Sequence, residues 1–286
     1  MDIRPSPIAG RWYSADAERL AQTIDTYLGA AEVTAPPGEI VGVVAPHAGH
    51  MYSGPVAAHA FQLVRHLPIQ VVVILSPSHF HSDGPLMTSS HEAFSTPLGV
   101  VEIDRAAVRG LQAALGAAFG RAGTELLVEV RRDREHAIEI QLPFLQRVLP
   151  EGFLLIPVMM REQSARVALA LGQAVAHVVE GRRALIVGST DLSHYYPQPV
   201  AEKLDGEMLR ALGEFDPEGV LAAEAEGRGM ACGHGALAAA LWAMRELGAT
   251  QARVLKYATS GAVSGDLESV VGYGAAVTWK VSPGMG

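Results

Sequence analysis

Short, almost unbroken apolar runs alternate along this chain with longer Ala/Leu-rich stretches. The runs Ile40–Ala45, Val71–Ser76, Leu154–Val158, Ala184–Ser189, Val254–Tyr257 and Val270–Thr278 are rich in β-branched residues. They are apolar at successive positions, not at every second one, which predicts strands buried on both faces. Between them, Asp16–Leu28, Pro55–Arg65, Asp104–Phe119, Glu135–Leu149, Gln163–Val179, Val200–Leu212 and His234–Leu247 predict helices. This alternation implies an α/β fold, a three-layer α/β/α arrangement around a central, largely parallel (mixed) sheet. Pro36 and Pro37 mark a short linker within Glu32–Gly38. No repeat or change of composition divides residues 1–286, which read as one domain.

Composition narrows the partners. Of 286 residues, 49% are hydrophobic and 18% charged, enough apolar material for a sizeable core. The formal net charge of −8 argues against nucleic acid as the main partner, which needs a basic face. Cys232 is the single cysteine, so no internal disulfide can form and a reducing cytoplasm fits best. The first ten residues lack the basic start and apolar run of a signal peptide. No stretch approaches the roughly 18 apolar residues of a membrane helix.

Candidate chemistry gathers where strands end. Ile40–Ala45 runs into Pro46-His47-Ala48-Gly49-His50, and Val71–Ser76 into Pro77-Ser78-His79-Phe80-His81. Ala184–Ser189 runs into Thr190-Asp191-Leu192-Ser193-His194, and Val254–Tyr257 into Ala258-Thr259-Ser260-Gly261. Ligands of open α/β sheets bind beyond the carboxyl ends of the strands, so these loops can share one pocket. A lone histidine after a strand is usually an ordinary loop residue. Recurrence at three strand ends favours a metal held by His47 and His79, with His50 and His81 near enough to line the pocket. Cys232 lies in a Gly-rich turn opening a helix, where the macrodipole favours a thiolate; a buried small hydrophobe is the equal alternative. His136 and Glu139, three apart in the helix predicted from Glu135, would share a face, giving either an oriented histidine or a simple acidic helix start. Asp191, Ser193 and His194 stand too close in sequence for a hydrolase triad, and no Gly-x-Ser-x-Gly elbow occurs.

Taken in order, several segments resemble the Memo-like family, whose prokaryotic members are called AmmeMemoRadiSam system protein B. They are Ala9-Gly10-Arg11-Trp12-Tyr13, Ala45-Pro46-His47-Ala48-Gly49, Ser76-Pro77-Ser78-His79 and Thr96-Pro97-Leu98-Gly99. Glu135-His136-Ala137-Ile138-Glu139, Ser189-Thr190-Asp191-Leu192-Ser193-His194, Cys232-Gly233 and Tyr257-Ala258-Thr259-Ser260-Gly261 continue the series. Two positions depart from it: His50 replaces a usual aromatic residue, and His234 a usual Arg or Tyr.

The resemblance implies a fold like that of class III extradiol dioxygenases, with His47, His79 and Cys232 lining a metal pocket beside Asp191 and His194. The implied cofactor is a divalent metal, Fe(II) first, with Zn or Cu admitted by a soft thiolate. Asp191 is the alternative third ligand. In this reading His194 is an acid/base poised by Asp191, and His136 touches substrate or supports a ligand. The expected function is a cytoplasmic, non-haem-iron-type oxidoreductase or dioxygenase of unknown substrate. The alternative is a non-catalytic protein binding a small molecule or peptide, acting with radical SAM and AMMECR-type partners, without nucleic acid or membrane. A metal-free hydrolase ranks last.

Overall fold

A computed structural model describes residues 1–80, 84–131 and 133–281. Among these residues twelve strands run in chain order: β1 Ile3–Arg4, β2 Gly38–Ala45, β3 Val71–Pro77, β4 Leu86–Ser89, β5 Ala93–Thr96, β6 Gly99–Glu102, β7 Leu127–Val130, β8 Leu154–Met160, β9 Ala184–Ser189, β10 His194–Tyr196, β11 Gln251–Thr259 and β12 Val270–Val281. Nine form one sheet in the order β10-β12-β2-β9-β3-β8-β4-β7, with β11 on the other side of β12. The central strands β2, β9, β3 and β8 are mutually parallel, while β12 and β4 flank them antiparallel. The fold is the expected three-layer α/β/α arrangement around a largely parallel, mixed sheet.

The central strands are apolar at successive positions because helices cover both their faces. Val43, Val73, Ile74, Ile156, Ile186 and Val187 are all fully buried. The helices Ala17–Ala30, His50–Leu63 and Leu142–Val148 pack on one another to form one cover. His234–Glu246 and Ala165–Val179 form the heart of the other. That second layer sits very close. A Cβ on Gly42 would lie 2.3 Å from Met244 Cε, and one on Gly188 3.2 Å from Ala240 Cβ.

Two corrections concern the layout. The helix predicted over Glu135–Leu149 starts late: a 3-10 turn covers Glu139–Gln141, and α-helix only Leu142–Val148. Conversely, the helix predicted from Pro55 reaches back to His50, where the Gly49 carbonyl accepts the Tyr52 and Ser53 N–H groups. A small sheet, β1-β5-β6, has no counterpart in the sequence reading. Its strands are two to four residues long, too short to show a period.

Parallel strands bring their carboxyl ends to one edge. Ala45 of β2 pairs with Ser189 of β9, and Pro77 of β3 with Met160 of β8. The loops carrying His47, His79 and Asp191 therefore leave the sheet side by side. No helix among the described residues is long and apolar enough to cross a membrane.

Candidate metal centre

Where β2 ends, Pro46 turns His47 inward and the side chain is almost fully buried. Its Nδ1 lies 3.1 Å from Ser189 Oγ. The serine hydroxyl gives its only proton to the Ala137 carbonyl at 2.7 Å and receives an N–H from Gln141 at 2.8 Å. His47 Nδ1 must therefore be the donor in this pair, which leaves the lone pair on Nε2. At the end of β3, His79 donates its backbone N–H to Glu135 Oε2 at 2.6 Å, and its Nδ1 lies 3.0 Å from Glu135 Oε1. A carboxylate only accepts, so Nδ1 is the donor here too, and in the neutral ring Nε2 carries the lone pair.

The third imidazole comes from the stretch that was predicted helical. His136 Nδ1 faces Glu135 Oε1 at 3.3 Å, and its ring stacks on that of His79 with centroids 4.6 Å apart. One ligand nitrogen each from His47, His79 and His136 lies within 4.8 Å of the others, a grouping that can hold a metal ion. Cys232 is not a member of that grouping, but its Sγ touches one of the three rings, 3.2 Å from His47 Nε2. The donor chemistry fits a transition ion: three imidazoles, two with the ring orientation fixed through Nδ1, and a sulfur beside them.

Charge is arranged to keep two of these rings neutral. Burial, reinforced by the neighbouring histidines, lowers His47 and His136 to about 3. His79 moves the other way. Burial opposes its charge, but the hydrogen bond and negative charge of Glu135, with Asp191 beyond, raise its pKa. Burial would likewise raise Glu135, yet the His79 contacts and the His136 charge hold it at about 2.

For Cys232 the sequence leaves a helix-end thiolate and a buried small side chain as equal alternatives. It sits two residues ahead of the helix His234–Glu246, but burial and the Asp191 charge push its thiol far up. Desolvation outweighs the helix end, so without metal this group is a thiol. Its loop is wedged onto the sheet: Gln163 Nε2 donates to the Cys232 carbonyl at 2.9 Å, and Gly233 N–H to Thr190 Oγ1 at 3.0 Å. A Cβ on Gly233 would come within 2.9 Å of Pro77 Cδ and 3.1 Å of the Ser189 carbonyl. Gly233→Ala should therefore displace the sulfur and cost about 1–3 kcal/mol of stability by overpacking. A urea midpoint equal to that of the parent protein would contradict this.

Asp191 is buried and accepts the His47 backbone N–H at 2.6 Å through Oδ1. Burial raises it to about 6 against this bond and the charge of His194. It steadies the loop that carries His47. His194 Nδ1 donates to the Leu192 carbonyl at 2.8 Å, not to Asp191, so the two interact through charge. The predicted His136–Glu139 helical face does not form, because Glu139 turns to Arg4 and Tyr13. The carboxylate beside His136 is Glu135, one residue away. His50 donates Nε2–H to the Ile140 carbonyl at 2.9 Å and packs between Tyr13 and Phe144, apart from the three rings. His81 lies outside the described residues.

A mixed α/β sheet whose carboxyl edge carries a histidine cluster able to hold a metal ion defines the class. The Memo-like protein family model matches residues 4–277, so the chain belongs to the Memo-like family. A MEMO1 family protein of Nitrosopumilus maritimus is 33% identical over 283 residues, spanning 96% of this chain and 98% of its own. One from Methanopyrus kandleri is 37% identical over 284 residues, with the same coverage. Another, from Methanothermobacter thermautotrophicus, is 37% identical over 280 residues, with 95% and 98% covered.

Proposed function

We propose that His47, His79 and Cys232, with His136 as a fourth donor, hold a divalent metal, Fe(II) before Zn or Cu. The protein would be a cytoplasmic oxidoreductase of the non-haem-iron type. The observation that carries this reading is the anchoring of His47 and His79 through Nδ1, to Ser189 and Glu135, which leaves their Nε2 lone pairs free in a cluster with His136. Such anchoring fixes both tautomer and aim. A redox-active ion there would supply the electron transfer that these side chains cannot.

The chain's own groups would do the rest. Asp191 holds the His47 loop in place. His194, with Nδ1–H committed to Leu192, keeps Nε2 as a base that can take a proton. A second reading has one observation in its favour. A three-histidine, one-cysteine donor set leaves fewer open positions than two histidines and a carboxylate, which suits binding without turnover. In that case a small molecule or peptide would be the ligand, with radical SAM and AMMECR-type proteins as partners. Oxygen consumption by the iron-loaded protein separates the two.

Proton release tests the donor set. The Cys232 thiol must lose its proton to ligate, so metal binding at pH 7 should release about one more proton from the parent protein than from Cys232→Ser. Cobalt(II) added to untagged, anaerobically purified protein in weak buffer gives both proton count and affinity. Equal release from the two proteins removes Cys232 from the site. No uptake by the parent protein overturns the reading.

A further inference from the structure

Arg4 is 2% exposed, and the proposed centre makes no direct use of it. It lies on β1, at the opposite end of the chain from Cys232, yet its guanidinium reaches the segment that carries Glu135 and His136. Nε and Nη2 donate to the Asp133 carboxylate at 3.0 and 2.6 Å. Nη1 donates to Glu139 Oε2 at 2.6 Å, and Nη2 also to the Glu135 carbonyl at 2.7 Å. Phe94 of β5 closes the other side, its ring centre 4.6 Å from Cζ. One side chain thus holds both ends and an interior carbonyl of the stretch Asp133–Glu139.

That stretch needs an external support. Between Asp133 and Ile138 there is neither helix nor strand, so no backbone ladder sets its path. Two side chains replace the ladder. The Glu135 carboxylate accepts the N–H groups of His136 and Ala137 at 2.8 and 3.0 Å. Arg4 fixes the flanks, aided by Asp133 Oδ1 accepting the Glu135 N–H at 3.2 Å and by Tyr13 and Ser6 donating to Glu139 Oε1. A planar five-donor fork can hold three acceptors in fixed directions, which lysine cannot.

We infer that Arg4 is a positioning residue of the metal centre: it holds the Asp133–Glu139 segment so that His136 and the Glu135 carboxylate meet His47 and His79. This rests on the proposed metal-binding function, and the two stand apart in the test. A purely structural arginine would lower stability without changing which donors a bound ion meets. A positioning arginine changes the donors.

Cobalt(II) is the probe, because its visible absorption reports coordination number and donor type. Arg4→Met, His136→Ala and the double variant are compared with the parent protein, after melting curves show that each is folded. Asp133→Asn, which keeps Arg4 on Glu139, stands in should Arg4→Met not fold. Arg4→Met should weaken cobalt binding on the order of 10–100-fold and move the spectrum toward that of His136→Ala. The double variant should lose less affinity than the two single losses multiplied together, since residues acting through one another are non-additive. Parent-like affinity and spectrum in Arg4→Met, or fully additive losses, would overturn the inference while leaving the metal centre standing. Failure of the parent protein to take up cobalt would overturn both.

Discussion

Acidifying the metal-free protein from pH 7 to pH 5 should remove on the order of 4 kcal/mol of stability, carried by three buried imidazoles. His47 and His136 are lowered to about 3 and His50 to about 4, each mainly by burial. In the unfolded chain each titrates near 6.5. Between those values the unfolded state binds more protons, so stability is full above the unfolded value and falls as pH drops. At pH 5 each imidazole contributes a loss of about 2 kcal/mol. Other groups act in the opposite sense, among them the Glu139 and Asp205 carboxyls, which burial raises. Asp191, raised to about 6, regains about 1 kcal/mol on protonation, and His79, whose pKa is also raised, stabilises the fold more at lower pH. The net loss is a large part of a typical domain stability of about 5–15 kcal/mol. Urea midpoints at pH 7, 6 and 5 measure it, and a flat series would refute the burial argument. His50→Phe, outside the cluster, should recover about half of the net loss.

The second large effect is on metal affinity. His79→Ala removes a donor and should lower cobalt or iron affinity by more than about 100-fold, beyond the 10–100-fold typical of a supporting residue. Glu135→Gln should fall within that range. Its carboxylate accepts from His79 Nδ1 and from three backbone N–H groups, and an amide would turn an NH2 toward some of those donors. Equal losses in the two variants would mean that Glu135 itself ligates. Calorimetry of the two proteins side by side distinguishes these outcomes.

Much of this site was visible in the sequence, and the reason is topological. Parallel strands must end at one edge, so histidines directly after the runs ending at Ala45 and Ser76 point to one place. Cys232 was visible because it is the only cysteine and lies between glycine-rich turns. The placement of His136 among the three rings was not. Periodicity made Glu135–Leu149 look helical, but the Glu135 carboxylate competes for local N–H groups and pulls residues 135–138 out of the helix. Arg4 carried no signal at all: its partners lie about 130 residues away, and no local pattern encodes such a contact. Which of its two states Cys232 takes was not legible, because a helix start shows in sequence, whereas the burial that keeps the thiol protonated is a property of the packed fold.

His47 and Cys232 touch across 185 positions of sequence, and His47 is held by Ser189, 142 positions away. During synthesis the trio of imidazoles emerges long before β9, the strand that fixes the first of them. A nascent chain therefore offers histidines but no assembled pocket, and an ion captured at that stage would meet floppy, interchangeable donors. Contacts so distant in sequence close late in folding. Under the proposed function, an ion would therefore load onto the finished protein, and its supply would act on how long the native state lasts rather than on how quickly it is reached.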